Sequence, residues 1–239
     1  MRLTSKTFKL RAIFRALKWI SIGLLGISVI LVQFFAFNNP KMTGYMKTEE
    51  KRLGYIKYSW SDVEDISPVV LRSVVAAEDA NFCLHWGLDF DAIGQAIESG
   101  ANRGASTITQ QVVKNLYLWP ERSWLRKGFE AAISPLVELL WSKQRIIEVY
   151  LNIAEFDEGV FGIKSASKHH FGVLPAQLSA VQSSALAAVL PNPKERSAIN
   201  PNKKLRKRAA AIQDGAETIL LDGRDYCLEI NRKDKQLKF

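Results

Sequence analysis

The sequence predicts a mainly α-helical domain behind one N-terminal membrane-spanning helix. Three observations carry that prediction. Beyond residue 60, apolar residues recur at helical spacing in segment after segment, with capping residues at several of their starts. No strand pattern of useful length appears, and there is no internal repeat. Trp19–Phe37 is a run of 19 residues without a charge.

At about 1.5 Å per residue that run comes close to spanning the roughly 30 Å hydrocarbon core. It has no polar face, which argues against a buried core helix. A cleavable signal peptide is the rival. The run is longer than a usual h-region, and Ala36-Phe37-Asn38-Asn39 offers no small-x-small cleavage site. Six cations precede the run and only Lys41 and Lys47 follow soon after, which places the N-terminus in the cytoplasm. The expected layout is a basic cytoplasmic tail over 1–18, a signal-anchor over 19–37, a polar connector over 38–60 and a folded domain over 61–239 outside the membrane.

The 239 residues, 47% hydrophobic, suffice for one sizeable core. A net charge of +9 suggests nucleic acid at first. Residues 1–48 hold eight cations and no acid, however, and the rest is nearly balanced. No nucleic-acid partner is expected. Cys83 and Cys227 are too few for a disulfide scaffold. They are expected as unpaired small hydrophobes, with one bridge in an oxidising compartment as the alternative.

Taken in order, Ser61–Asp65 opens the domain, and Val70, Leu71, Val74 and Val75 give an apolar helix face ending at Glu78-Asp79. Asp89–Ser99 reads as a helix with Phe90, Ile93 and Ile97 inward, and its glycine-rich exit, 100–104, as a mobile lip. Thr107-Ile-Thr-Gln110 has the capping-box form, and Ile108, Val112, Val113 and Leu116 continue as a buried stripe. Ser123 caps a long helix that contains Pro135. Ser142–Ile153 and Ala176–Leu190 follow, the latter with Leu178, Val181, Ala185, Leu186 and Val189 on one face. A last helix begins on the basic run Lys203–Arg208.

The chemistry concentrates in 73–115. A carboxylate beside apolar side chains, as Glu78 is, has its charged form disfavoured, which raises its pKa toward that of a useful base. Gln111 and Lys114, three apart, share a helix face away from the buried stripe. A helix start with free N–H groups and a nearby lysine suits a phosphate or diphosphate. Each feature alone has a bland reading: a solvated helix end, an ordinary capped helix. Together they suggest transfer chemistry with an anionic leaving group. Arg126 and Glu130 are four apart and read by default as a surface salt bridge. His169 and His170 are adjacent and expected on different helix faces. With His85 as the one other histidine, no histidine-built metal site is expected. His85 reads as shaping its loop.

Glu78-Asp79-x-x-Phe82-x-x-His85-x-Gly87, followed by Gly104-Ala-Ser-Thr-Ile-Thr-Gln-Gln-x-x-Lys114-Asn115, resembles the first two signature motifs of glycosyltransferase family 51. These are the peptidoglycan glycosyltransferases. Arg126-Lys127-x-x-Glu130 matches the family's third motif, and Lys143–Asn152 resembles the fourth, read here as mainly architectural, with Glu148 and Asn152 tying helices together. The fifth is only loosely visible in Ala187–Pro193. The resemblance covers roughly Ser61–Pro193, with no transpeptidase module after it.

The resemblance implies a lysozyme-like two-lobed helical fold on a bacterial inner membrane, single-pass, with the domain in the periplasm. Its substrates are lipid II and the growing glycan chain, its setting is the membrane, and division or elongation proteins are further implied partners. Glu78 is then the general base and Glu130 a second active-site carboxylate. Ser106, Gln111, Lys114, Arg122, Arg126 and Lys127 handle sugar or diphosphate. A divalent cation, Mg²⁺ or Mn²⁺, is the one cofactor the resemblance leaves open. Two alternatives stand beside this reading: a lytic transglycosylase or muramidase that cleaves glycan, and a non-enzymatic membrane-anchored cell-wall scaffold.

Overall fold

A computed structural model describes residues 3–100 and 104–229. The chain divides into two units, 1–39 and 40–239. The first is built on α1, Leu3–Phe37, an uninterrupted helix in which Phe14–Phe37 is long and apolar enough to cross a bilayer. The predicted span lies within it. The helix also runs back through most of the basic stretch that precedes the apolar run.

The second unit begins earlier than the sequence suggests. Residues 44–53, expected as connector, form α2, Gly44–Leu53, whose cap Thr43 accepts a hydrogen bond from the Met46 amide at 3.2 Å. Met46 is fully buried, and Glu49 is buried beside Arg52 and Lys194. One buried apolar residue in a charged helix is too faint a signal for a sequence pattern. The domain is mainly helical, as expected, with one addition: Lys57–Tyr58 (β1), Glu155–Asp157 (β2) and Val160–Phe161 (β3) make a small sheet of order β1-β3-β2. β1 runs parallel to β3 and β2 antiparallel. Strands of two or three residues are too short to show a period of two.

The helices follow their sequence signals closely. Helix α3, Pro68–Glu78, starts with proline in its first turn and buries Val70, Leu71, Val74 and Val75. It ends because Asp79 leaves helical geometry, at φ −163° and ψ 71°. After α4, Phe90–Glu98, the capping box of Thr107 and Gln110 opens α5, Ile108–Tyr117. Ser123 caps α6, Trp124–Leu140, which accommodates Pro135, and Ser142 caps α7, Lys143–Ile153. Helices α8 (Ile163–Phe171), α9 (Ala180–Val189) and α10 (Lys203–Leu221) complete the unit.

Two helix readings change. Helix α9 starts at Ala180 after a 3-10 turn over Pro175–Gln177, and Val181 is exposed, not inward. Of the α4 residues read as inward, Phe90 and Ile97 face solvent, at 74% and 72% exposure, Ile93 is half-buried, and no residue of the helix is buried. An amphipathic pattern shows that a helix has an apolar face; it does not show that the domain covers it. Residues 101–103 of the expected lip lie outside the described residues.

Packing falls into two groups. Helices α3, α9 and α10 pack on one another, and α5 packs on α6 and α7. Gly215 lets α10 approach α3, since a Cβ there would stand 3.3 Å from that of Ala76. Asn152 exchanges two hydrogen bonds of 2.8 Å with the Ser61 backbone, and Glu148 accepts one from the Val63 amide. These two side chains therefore tie α7 to the segment entering α3, instead of joining helix to helix.

Cys83 and Cys227 form a disulfide, against the expectation of free thiols. Because α10 lies along α3, the chain beyond α10 returns to the loop after Glu78. Tyr226 there donates to the Cys83 carbonyl, Arg224 donates to the Ala80 carbonyl at 3.2 Å, and Asp225 pairs with Arg72 at 3.3 Å. A crosslink 144 residues apart in sequence restricts the unfolded chain strongly. The double variant Cys83→Ser/Cys227→Ser should lose about 2–5 kcal/mol of stability in denaturant titration, and wild type measured with reductant should match it.

Candidate active site

Glu78 closes the last turn of α3, where the apolar face that anchors the helix also desolvates its carboxylate. Its side chain is 13% exposed. Oε2 accepts a hydrogen bond from Gln111 Nε2 at 2.9 Å, and Oε1 has no hydrogen-bond partner among the described residues. Burial raises its pKa above the ordinary glutamate value; the Gln111 bond and the charges of Arg208 and Lys114 pull it partly back.

The adjacent Asp79 has a different task. It is buried, with Oδ2 accepting from the Ile108 amide at 2.9 Å and Oδ1 meeting His85 Nε2 at 2.8 Å. One carboxylate thus joins the end of α3 to the start of α5, at the positive pole of that helix. His85 also accepts from the Gly87 amide at 3.2 Å, so both ring nitrogens are engaged and it shapes the loop. Thr107 donates to the Gly87 carbonyl at 2.7 Å. Gly87 has φ +83°, and a Cβ there would stand 3.0 Å from the Ser134 backbone, so no other residue fits without displacing α6. Lys143, from the fourth motif, donates to the His85 carbonyl and to Glu138, both at 2.8 Å.

The cations gather next to this loop. Lys114 is largely desolvated, which lowers its pKa; Glu130 and Glu78 oppose that shift, while Arg126 and Lys127 add to it. Glu130 is buried, with Lys127 Nζ 2.7 Å from one oxygen and Arg126 Nε 3.2 Å from the other. Lys127 also donates to Ser106 at 2.9 Å. Two cations already balance the Glu130 carboxylate, so its surroundings do not suit a divalent ion, and no step is assigned to one. Arg122 stands apart, exposed between α5 and α6 and without an ion pair among the described residues.

Two cavities flank the Glu78–Gln111 bond. One, of about 300 Å³, is lined by Gln111, Lys114, Arg126, Tyr150 and Glu155 among others. The second, of about 240 Å³, is lined by Glu78, Asn81, Asp89, Ser106 and Thr107 among others. Of the residues expected in the site, only Arg122 falls outside this neighbourhood.

Sequence reasoning missed three participants. Arg208 Nη2 of α10 lies 3.8 Å from Glu78 Oε1 and 3.4 Å from the Ala77 carbonyl. Its only trace in the sequence is the basic run at a helix start. Tyr150 donates to Gln111 Oε1 at 3.4 Å, and Tyr45 donates to Glu155 at 2.7 Å on the wall of the first cavity. Tyr150 sits in a motif read as architectural, and Tyr45 in the supposed connector.

A desolvated carboxylate, one of its oxygens without a hydrogen-bond partner among the described residues, thus lies between a cation-lined cavity and a polar one in a helical domain, an arrangement compatible with group transfer. The chain belongs to the transglycosylase family, whose model matches residues 46–217. Its relatives include the protein named biosynthetic peptidoglycan transglycosylase from Jannaschia sp. (strain CCS1). That protein is 51% identical over 213 residues, covering 88% of this chain and 89% of the relative. A protein of the same name from Pseudomonas fluorescens (strain SBW25) is 44% identical over 240 residues, 95% and 98% of the two chains. Another from Chromohalobacter salexigens is 44% identical over 216 residues, 85% and 92%. The chain is therefore a glycosyltransferase with the lysozyme-like helical domain of that family.

A raised carboxylate pKa has a thermodynamic consequence. Folded Glu78 holds its proton more tightly than unfolded Glu78. Its contribution to stability is therefore fully present below the unfolded pKa, about 4.3, and is lost as pH rises through the raised folded value. Glu78→Gln escapes that loss. Thermal melts across pH should show the variant more stable than wild type at neutral pH, with the gap closing below about pH 4.

Proposed function

We propose that the chain polymerises lipid II into β-1,4 glycan strands of peptidoglycan, releasing undecaprenyl diphosphate with inversion at the anomeric carbon. The observation that carries this reading is the free Oε1 of desolvated Glu78, one hydrogen bond away from a cavity lined by Lys114 and Arg126. In the step, the 4-hydroxyl of the incoming lipid II attacks the anomeric carbon of the growing chain. Its proton passes to Glu78, the new carbon–oxygen bond forms, and the bond to the diphosphate breaks with its electron pair leaving on phosphate.

Glu78 is the general base, a role worth roughly 10²–10⁴-fold. Lys114 and Arg126 stabilise charge on the leaving diphosphate, and Glu130 fixes Arg126 and Lys127. Gln111 orients Glu78 from the side of the first cavity, and Ser106, on the second, holds a sugar or phosphate oxygen. Arg122, exposed past the end of α5, meets the diphosphate only from the solvent side. A cation-lined cavity beside the base supports a diphosphate substrate over plain polysaccharide, which favours synthesis over lytic cleavage. A scaffold has no use for a desolvated, half-satisfied glutamate.

The location follows the same reading: a single pass through the inner membrane, N-terminus in the cytoplasm, domain in the periplasm. The charge asymmetry about the apolar run supports the orientation, and the Cys83–Cys227 bridge suits an oxidising compartment. Trp86, Phe90, Ile97, Trp124 and Leu125 expose apolar surface on the second unit, as fits work at a lipid surface.

Purified protein should polymerise lipid II and leave finished murein intact. Glu78→Gln should abolish polymerisation while preserving the fold by circular dichroism; retained activity would remove Glu78 from the mechanism. Lys114→Met should lower kcat about 10²–10³-fold. The pH profile of kcat/KM should be a narrowed bell. Its acid limb lies above the ordinary glutamate range because Glu78 is raised, and its alkaline limb below the ordinary lysine range because Lys114 is lowered.

A further inference from the structure

Asp157, His169 and His170 come together where the β2–β3 hairpin meets α8, and the transfer chemistry uses none of them. One ligand atom from each lies within 4.8 Å of the others. Asp157 Oδ2 is 3.4 Å from His169 Nε2 and 3.7 Å from His170 Nε2. Ligands about 2.0–2.1 Å from a tetrahedral zinc ion stand about 3.3 Å apart. The two histidines were expected on different faces. At the last turn of α8 their rings instead lie 4.8 Å apart, and both turn a nitrogen toward the one carboxylate of the neighbouring hairpin.

His170 supplies the deciding observation. Its side chain is 2% exposed, and its buried Nε2 has no hydrogen-bond partner among the described residues. This ring nitrogen and the Asp157 carboxylate oxygen face each other at 3.7 Å without a hydrogen bond between them. A metal ion satisfies both.

His169 is held differently. Lys57 Nζ lies 3.0 Å from its Nδ1. An ammonium donates, so Nδ1 accepts and Nε2 carries its proton toward Asp157. Metal binding needs the other tautomer, with the proton on Nδ1, and Lys57 must then swing away. Lys57 is exposed on β1 and borders a cavity of about 320 Å³ shared with Asp157 and His169, which gives it room to move and an ion a way in.

We infer that Asp157, His169 and His170 form a site for a zinc-class divalent cation, with solvent completing the coordination and Lys57 competing for the same place. Two imidazoles and one carboxylate suit zinc; Mg²⁺ prefers oxygen throughout. The ion would join α8 to the hairpin that also carries Glu155, on the wall of the first cavity. A second cluster, Asp79, His85 and Asp89, also lies close together. There both histidine nitrogens are bonded, and the carboxylates accept from Ile108, Ala92 and Asn81, so nothing is left to hold an ion.

The test uses the full chain in detergent, stripped with chelator and titrated with Zn²⁺ and, separately, Mg²⁺ by calorimetry and thermal melting. Zn²⁺ should bind one per chain and raise Tm; Mg²⁺ should do neither. His169→Ala and Asp157→Asn, both at partly exposed positions that leave the fold intact, should each weaken binding by at least the roughly 10–100-fold that even an outer partner costs. Lys57→Met should tighten it. Absent binding in wild type overturns the site, as does undiminished binding in both ligand variants. Binding no tighter in Lys57→Met than in wild type overturns the competition.

Discussion

Two contacts to the carboxylate of Asp79 hold the site in register. One reaches the Ile108 amide, a free donor at the start of α5, and the other reaches His85. Without the first, the end of α3 and the start of α5 are separate helix termini, and Glu78 has no fixed distance to Gln111. Without the second, the loop through Gly87 loses its anchor, and with it the Thr107 contact that orients the cap of α5. A buried carboxylate is costly unless its oxygens are satisfied. The chain satisfies both oxygens of Asp79 and leaves one oxygen of Glu78 without a hydrogen-bond partner among the described residues. Adjacent residues of similar chemistry are thereby divided into a brace and a carboxylate that, on the proposed reading, serves as the base.

That division explains the placement of the cations. Arg208 stops 3.8 Å short of Glu78, near enough to favour ionisation and too far to occupy the free oxygen. A closer approach would make an ordinary ion pair and draw the raised Glu78 pKa back down. Lys114, desolvated between Glu78 and Glu130, keeps its charge available to a third partner because neither carboxylate forms a salt bridge with it among the described residues. Both groups are held in a state less favourable than their ordinary one.

Much of this was legible in the sequence where the signal is local. The capping box at Thr107 and Gln110, the serine caps at 123 and 142, and the spacing of Gln111 and Lys114 all depend on residues within one turn of each other. What depends on distant packing was not. Arg208 reaches Glu78 because α10 lies close on α3, where Gly215 faces Ala76, and the same packing returns Cys227 to Cys83. The reading of α4 failed for the opposite reason: its apolar face is real, but none of the described residues covers it. Tyr45 and β1 were hidden in a stretch whose charge resembles a linker.

The two histidines of α8 show the limit of periodicity from another side. Helical spacing separates the directions of adjacent Cβ atoms, but an imidazole reaches far enough beyond Cβ for two neighbours at a helix end to meet one carboxylate. The partner decides, and Asp157 is placed by the bulge between Glu155 and Asp157 in the β2–β3 pairing. That irregularity re-aims the strand, turning Glu155 toward Tyr45 and the cavity wall while Asp157 faces α8. A three-residue strand thus presents one carboxylate to Tyr45 and the cavity wall and another to the histidines of α8.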